Sequence, residues 1–286
     1  MQLAEFRCTE RLRVRWSEVD PQKIVFNAHY LGYADIAMNA YWRALALPYE
    51  ASMQALAGEM FVRKATVEYH ASARMDDGLV VGLRCAGVGN SSCRFEAGIF
   101  CGERLLVSVE LVYVFADPVA QKPQPVPPAL RALLQDYEAG AGTVECRTGD
   151  WNALGRAAGR LRTAVFVREQ GIPADQEADA LDASARHAVV FNRLGMPVAT
   201  GRLVQQAPGV GRIERLAVDR SLRGAQWGRQ LLDALVQASR ARGDHQLRLQ
   251  TPHSAEGFFQ RAGFTACGEP FEAVGRRCRA MERALA

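Results

Sequence analysis

Four prolines fall within eight residues near the middle of the chain, Gln121 to Pro128. Proline has no N–H and a fixed φ, so this stretch is extended and belongs to neither a helix interior nor a central strand. The two sides of it differ in periodicity, and that contrast bounds what the 286 residues fold into. At about 150 residues per domain, the length suits two ordinary domains. A short helix is expected over residues 129–138, with Leu130, Leu133 and Leu134 on one face, and Gly140-Ala141-Gly142 then punctuates the chain. The boundary is placed at 140–143, giving domains of 1–140 and 141–286. No internal repeat is visible.

The first half reads as a strand over 11–16, an Ala-rich helix over 28–45 with Asn27 as its cap, then strands over 61–70, 79–87, 93–101 and 105–115. Ala28, Gly32, Ala34, Ala37, Ala40 and Ala44 would let a sheet approach that helix closely. One helix followed by hairpin strands is an α+β arrangement. In the second half the elements alternate. Helices are expected over 152–167, 224–241 and 255–262, with Gly263 as a cap. Strands are expected over 188–191, 198–204 and 213–218 and around Leu247 and Leu249. A strand, a glycine turn and a helix in sequence make a phosphate cradle.

Composition narrows the class. Hydrophobic residues are 49% and charged residues 23% of the chain, which excludes disorder, collagen and coiled coil as the main state. The longest mostly apolar stretch, 105–116, falls short of the roughly 20 residues of a membrane span. The N-terminus is charged from Glu5 onward and lacks the apolar core of a signal peptide, so the expected compartment is the cytoplasm. Seven cysteines, an odd number without a C-x-x-C pair, argue against a disulfide framework and a structural zinc site, so no metal is expected; most are read as buried small hydrophobes. Residues 1–143 carry 14 Lys+Arg against 16 Asp+Glu, a net −2; residues 144–286 carry 21 Arg, no Lys and 15 Asp+Glu, a net +6. A basic second half suits a phosphate-bearing ligand. No basic run interleaved with aromatics points to nucleic acid.

Two segments carry chemistry. The first runs Val14-Arg-Trp-Ser-Glu-Val-Asp20-Pro21-Gln-Lys23-Ile24-Val25-Phe26-Asn27-Ala-His29-Tyr30. It sets an acid on a turn just before a helix N-terminus, whose free N–H groups can polarise a carbonyl. The carboxylate can then attack that carbonyl or activate water. Read alone, Asp20 also fits a plain Asp-Pro turn. The second segment runs Ile213-Glu214-Arg215-Leu216-Ala217-Val218, then Arg223-Gly224-Ala225-Gln226-Trp227-Gly228, a strand followed by an Arg-Gly turn and an amphipathic helix.

The first segment resembles the active-site signature of hot-dog acyl-CoA thioesterases, in particular the 4-hydroxybenzoyl-CoA thioesterase group. Gly89-Asn90-Ser91-Ser92 and the closing Val112–Asp117 stretch match as well. The resemblance spans about residues 5–138. It implies an antiparallel sheet wrapped round one central helix. It implies Asp20 as nucleophile or general base, and the Asn27 backbone N–H as the group that polarises the thioester. It also implies a homo-oligomer, dimer or tetramer, with sites between subunits. Small-acyl members carry His at the position of Asn27, and the family's turn glycine is Lys23 here. Tyr30, Tyr33, Tyr41 and Trp42 are read as core or dimer contacts, His29 and His70 as surface or packed histidines, and Asp35 and Glu50 as solvated. Arg63, Lys64 and Arg74 are weak phosphate candidates.

The second segment resembles the coenzyme A motif of GNAT acyltransferases, Arg/Gln-x-x-Gly-x-Gly/Ala. Arg162–Gln170, Ala199–Leu203 and Phe258–Phe264 match further GNAT patterns. The resemblance spans about residues 144–286 and implies an α/β domain with a mixed sheet. It implies that Leu216 and Val218 on the strand and Arg223, Gly224, Ala225, Gln226, Trp227 and Gly228 in the turn hold coenzyme A. The family's middle glycine is Gln226 here, its acid Tyr is Phe259, and its tail His is Cys278. Glu214 is the candidate general base, or else a surface carboxylate paired with Arg215; Asp182 and His187 are weaker candidates. Together the resemblances imply a bifunctional enzyme of coenzyme A thioesters. One site would hydrolyse acyl-CoA or acyl-carrier-protein thioesters. The other would transfer an acyl group, acetyl in this reading, to an amine. The alternatives are a thioesterase with an acyl-CoA-sensing second domain, and a non-hydrolytic assembly protein.

Overall fold

The computed structural model describes residues 1–273 and 275–285, and the chain divides into two units, Met1–Thr143 and Val144–Ala286. The first unit contains β1 (Cys8–Arg13), α1 (His29–Ala44), α2 (Tyr49–Leu56), β2 (Glu59–Tyr69), β3 (Gly78–Val88), β4 (Ser92–Cys101), β5 (Arg104–Ala116) and α3 (Pro128–Glu138). Its five strands form one antiparallel sheet in the order β1-β3-β4-β5-β2. Period-two alternation sets the faces. Val107, Val109, Leu111, Tyr113 and Phe115 of β5 are buried with Phe95, Ala97 and Ile99 of β4.

Helix α1 packs against β1, β3, β4 and β5. Its buried residues include Tyr30, Tyr33, Ala34, Ala37, Met38 and Tyr41. The small-residue face expected from sequence is half right: Ala34, Ala37 and Ala40 are buried, but Ala28 and Gly32 are exposed, and tyrosine rings do much of the filling. Asn27 does not cap the helix. Ala28 occupies that position without a side-chain hydrogen bond.

Three further expectations change. The first strand is Cys8–Arg13 rather than 11–16, because the Glu18 carboxylate accepts the Arg15 N–H at 2.8 Å and closes a 3-10 turn over Trp16–Glu18. Helix α2 was not foreseen. The proline-rich stretch is no free linker. Asp117 N–H donates to Lys122 O, Gln124 N–H to Phe115 O and Val126 N–H to Asn90 O, and the Val126 side chain is buried.

The second unit contains β6 (Val144–Gly149), α4 (Trp151–Arg162), a π-helical stretch Thr163–Glu169, α5 (Ala174–Glu177), β7 (Arg186–Asn192), β8 (Pro197–Ala207) and β9 (Val210–Val218). Then follow α6 (Trp227–Arg242), β10 (Gln246–Pro252), α7 (Glu256–Gln260), β11 (Thr265–Ala273) and β12 (Arg276–Ala284). The sheet is mixed, in the order β11-β12-β10-β9-β8-β7-β6, with β9 and β10 parallel. Ala188 and Val190 pack with Leu231, Leu232 and Leu235 of α6, whereas Val189 packs with Leu154 and Ala158 of α4. Successive strand residues point to opposite faces, so the two helices cover opposite sides. Asp150 caps α4 by accepting the Ala153 N–H at 2.9 Å, and Gly243 ends α6 with φ +90°.

The helices are shorter than the sequence suggested. The one expected to Val167 leaves α geometry after Arg162, the one expected from Gly224 begins at Trp227, and the last α-helix spans only Glu256–Gln260. Strands β6, β11 and β12 were not foreseen. Cys8, Cys93 and Cys278 are buried but the other four cysteines are only half-buried, so the expectation for most of them fails. Burial pushes the Cys8 and Cys85 thiols up to about 12, which leaves them unreactive.

Candidate functional sites

In the first unit the segment before α1 forms a tight loop. Asp20 N–H donates to Ile24 O and Lys23 N–H to Asp20 O, with Lys23 at φ +64°, where the resembling family has glycine. The Asp20 carboxylate accepts the Gln22 N–H on Oδ1 at 2.8 Å, so it does make the Asp-Pro turn. Its Oδ2 has no partner among the described residues. Behind the loop lies a residue that sequence reading passed over. Glu18 is 3% exposed and accepts from the Arg15 guanidinium at 2.6 Å and the Tyr33 hydroxyl at 2.8 Å. Burial alone would raise its pKa, but those bonds, with the Arg15 N–H, hold it below the usual value. Glu18 therefore anchors the loop as a fixed anion, and Asp20 is left half-buried at its surface.

Asn27 is exposed, and no acceptor takes its N–H among the described residues, while its carbonyl accepts the Tyr69 hydroxyl at 3.1 Å. The next turn closes by His29 N–H to Phe26 O. A bare amide just ahead of a helix N-terminus is a group that can stabilise an oxyanion. Of the remaining candidates, Tyr30, Tyr33, Tyr41 and Trp42 are buried, and Asp35 and Glu50 are exposed. His70 is exposed against Ser108, and Lys64 pairs with Glu110.

In the second unit β9 and β10 pair only from Val210 with Gln246 to Ile213 with Leu249. Beyond that point the strands diverge. Leu216 and Val218 therefore lie where the β10-facing edge of β9 has no partner strand, their side chains packed against the α6 core. Between the pairs Thr200–Ala217 and Arg202–Glu214 the β8–β9 register gains one residue on β9, where Arg215 at φ +52° marks a bulge at the divergence. Past Val218 the chain turns through Gly224 at φ +86° and Gln226 at φ +66° into α6. The amides of Arg223, Gly224, Gln226, Trp227 and Gly228 have no acceptor among the described residues. Such a nest at a helix N-terminus suits a pyrophosphate. At Gly228 a Cβ would come within 3.3 Å of the Val218 side chain, a tight contact that would push the helix start and the strand apart by a few tenths of an ångström. Gln226 holds the left-handed conformation of the glycine it replaces, and the loop shape survives. The residues present fit a coenzyme A diphosphate.

The rest of the second site is dominated by ion pairs between segments distant in sequence. Arg162 (1% exposed) bonds Glu177 and Asp182, and Arg202 (1% exposed) bonds Asp179, Asp182 and Glu214. Burial would raise the Asp182 pKa, but the two guanidinium groups outweigh it and hold the carboxyl below its ordinary value. Hydrogen bonds from Arg202 lower Asp179 further. Glu214 pairs with Arg202 at 2.7 Å and Arg212 at 2.7 Å, not with Arg215, which reaches Asp179 instead. His187 lies 2.9 Å from Asp182 O through Nε2 and is fully buried. Arg223 makes a two-pronged pair with Glu169 at 2.6 and 2.7 Å. Phe259, at the position of the family acid, is a core ring packed against Phe258 and Phe264. Cys278 is also buried, opposite Pro252. Among the described residues no cluster of His, Cys, Asp or Glu has a metal-holding arrangement, and no helix is long and apolar enough to cross a membrane.

One chain thus joins two folds, the first with an unbonded amide just before a helix on the loop that carries Asp20, the second with a nest of unbonded amides at a helix start. Residues 14–134 match the thioesterase-like superfamily and residues 158–285 the acetyltransferase (GNAT) domain, and the chain belongs to both families. The acyl-CoA thioester hydrolase YbgC of Escherichia coli O157:H7 is 31% identical over 125 residues, 42% of this chain and 90% of YbgC. The uncharacterized N-acetyltransferase YjcF of Bacillus subtilis (strain 168) is 33% identical over 109 residues, 38% of this chain and 76% of YjcF. A crystal structure of an acyl-CoA N-acyltransferase from Pseudomonas aeruginosa is 28% identical, covers 50% of this chain and all of that one, and has a TM-score of 0.46.

Proposed function

We propose that the chain is a bifunctional coenzyme A thioester enzyme, hydrolysing an acyl thioester in the first unit and transferring an acyl group, acetyl in the simplest case, to an amine in the second. The observation that carries the first activity is the unbonded Asn27 amide on the same loop as Asp20. In this reading the amide polarises the thioester carbonyl. Asp20 takes a proton from water, the water oxygen bonds to the carbonyl carbon, and the C–S bond breaks. The proton then leaves with the thiolate as free thiol.

The antiparallel sheet packed on α1 supports a hot-dog arrangement for this unit. Its edge strand β2 supports self-association. Ten of its eleven residues are at least partly exposed, Val62 by 55% and Tyr69 by 52%, and a long bare edge needs a cover. Tyr69 touches Asn27, so a second copy paired along β2 would adjoin the site.

The observation that carries the second activity is the nest of five free amides from Arg223 to Gly228 beside the divergence of β9 and β10. There the diphosphate would sit on the nest and the thioester arm along the open edge at Leu216 and Val218. Glu214 is the base in this proposal. Phe259 has no proton to give, so the departing thiolate takes the proton released by the amine.

The test is thiol release from a panel of acyl-CoAs without acceptor, followed by calorimetry with acetyl-CoA. Release that Asp20→Asn abolishes, with binding that a bulky substitution at Gly228 abolishes, supports both activities. No release from wild type rejects the hydrolase. Binding without transfer to any amine leaves the second unit as an acyl-CoA sensor.

A further inference from the structure

On the second sheet, Leu203, Ile213, Leu247, Leu249 and Met281 face the α6 core. Their strand neighbours therefore face the α4 side, and beyond the cover of α4 they form a polar floor. Register sets Arg202 beside Glu214, Arg212 beside Arg248, and Arg248 beside Glu282. Two hollows of about 390 and 270 Å³ open over this floor and share Arg212 and Gln250.

The cations on the floor are not equivalent. Arg202 is saturated by Asp179, Asp182 and Glu214. Arg212 is not. Its buried Nε lies 2.7 Å from Glu214 Oε1 but is not aligned to donate to it, and no acceptor takes its Nη groups among the described residues. Among the described residues Arg248 reaches Glu282 alone, at 3.6 Å. Arg215 also keeps a buried Nε without an acceptor. The Nε donors of Arg212 and Arg215 are buried and unmade, and Arg212 and Arg248, 33% and 45% exposed, line the first hollow with guanidinium groups open to an anion. Arg212 and Arg248 are paired in register on neighbouring strands, which lie about 4.8 Å apart, and two guanidinium groups lining one hollow suit a carboxylate. Glu214 and Asp179 supply the opposite charge on the rim of the same cleft.

We propose that the acyl acceptor of the second unit is an amine that also carries a carboxylate, held with the carboxylate on Arg212 and Arg248 and the ammonium beside Glu214. This rests on the acyl-transfer reading given above. In the transfer the ammonium gives one proton through Glu214 to solvent. The amine nitrogen bonds to the thioester carbonyl carbon, the C–S bond breaks, and the thiolate takes the second amine proton. Amide, free thiol and one solvent proton result.

The test compares 5-aminopentanoate with pentylamine, which differ in the carboxylate, using full-length protein and acetyl-CoA. A charged hydrogen-bonded contact predicts kcat/KM about 10- to 100-fold higher for 5-aminopentanoate. Arg212→Gln should bring that ratio close to one through the KM for the amine, while the KM for acetyl-CoA stays unchanged. Arg248→Gln should do the same in part. Equal rates for the two amines overturn the proposal, as does a ratio that survives both substitutions. If neither amine turns over, calorimetry on the coenzyme A-loaded protein decides. Arg212-dependent binding of 5-aminopentanoate but not pentylamine keeps the carboxylate site and rejects acyl transfer. Binding of neither overturns the site itself.

Discussion

The two candidate sites handle charge in opposite ways. In the first unit the candidate groups are open: among the described residues the Asp20 Oδ2 and the Asn27 N–H have no partner, and both stand on a loop edged by exposed Trp16 and Phe26. The firmly bonded anion, Glu18, is set behind them. In the second unit the candidate base itself is tied, with guanidinium groups at both Glu214 oxygens, and a network of buried ion pairs runs from Glu177 to Arg202. An open site of this kind depends on what covers it. A tied site depends on its own internal balance, so the two units should fail in different ways when cut.

The largest effect is expected where the open site loses its only free carboxylate. Asp20→Asn keeps the Oδ1 turn contact but removes the base, and thiol release should fall about 10²- to 10⁴-fold with unfolding unchanged. If release persists, the comparison breaks, because Asp20 is then only a turn residue. The matching cut in the tied site is Asp182→Ala. It takes one of two acidic partners from Arg162 and one of three from Arg202, both 1% exposed, and should destabilise the second unit by about 1–3 kcal/mol in denaturant unfolding. A loss below 1 kcal/mol would mean the network is not what holds that unit. Between these lies the cover. Val62→Lys on the bare β2 edge should raise the concentration at which copies dissociate by roughly tenfold, read by sedimentation. A wild-type chain that is monomeric at all concentrations sinks the covering argument.

This division also explains what the sequence disclosed. Strands β2 to β5 were legible within two residues because alternation on a one-sided sheet is a local signal. Asp20 and Asn27 were legible because they share one short segment. The network was not: Arg162, Asp182, Arg202 and Glu214 come from a helix, a 3-10 turn and two strands, and nothing in their spacing announces that they meet. Strands β11 and β12 were missed because Arg, Glu, Gly and Pro interrupt the apolar alternation in them. Gln226 sat at a position that asks for glycine and still took the left-handed conformation, at a strain cost of order 1 kcal/mol that composition does not reveal.

A smaller effect separates the units by pH. His187 is buried beside Arg162, Arg202 and Trp151, and burial lowers its pKa below the ordinary 6.5. The unfolded chain therefore takes up the proton first, and the stability of the second unit should fall as pH drops below about 6.5, by at most about 1.4 kcal/mol per pH unit. The loss stops once the folded pKa is passed. Asp179 and Asp182 are shifted the other way: their stabilisation is complete above the ordinary carboxylate range and is lost only as pH falls through it. Urea unfolding between pH 7.5 and 5 thus isolates His187, and His187→Gln should flatten the slope. A slope that survives the substitution assigns it elsewhere.

The smallest effect sharpens the comparison where an ion pair meets the proposed coenzyme A diphosphate. Arg223 opens the amide nest, yet both its Nη groups are engaged by Glu169. A diphosphate must share or displace that pair. Because Arg223 is 43% and Glu169 27% exposed, water screens the competition, and it amounts to no more than about 1 kcal/mol. Glu169→Gln should therefore tighten coenzyme A binding only about 2- to 5-fold at low salt, with the gain fading as salt rises. Weaker binding would reverse the assignment, making Glu169 the residue that positions Arg223 for phosphate rather than its competitor. In that case the ion-pair economy of the second unit extends to ligand recognition itself, and the open nest is set up by the tied network next to it.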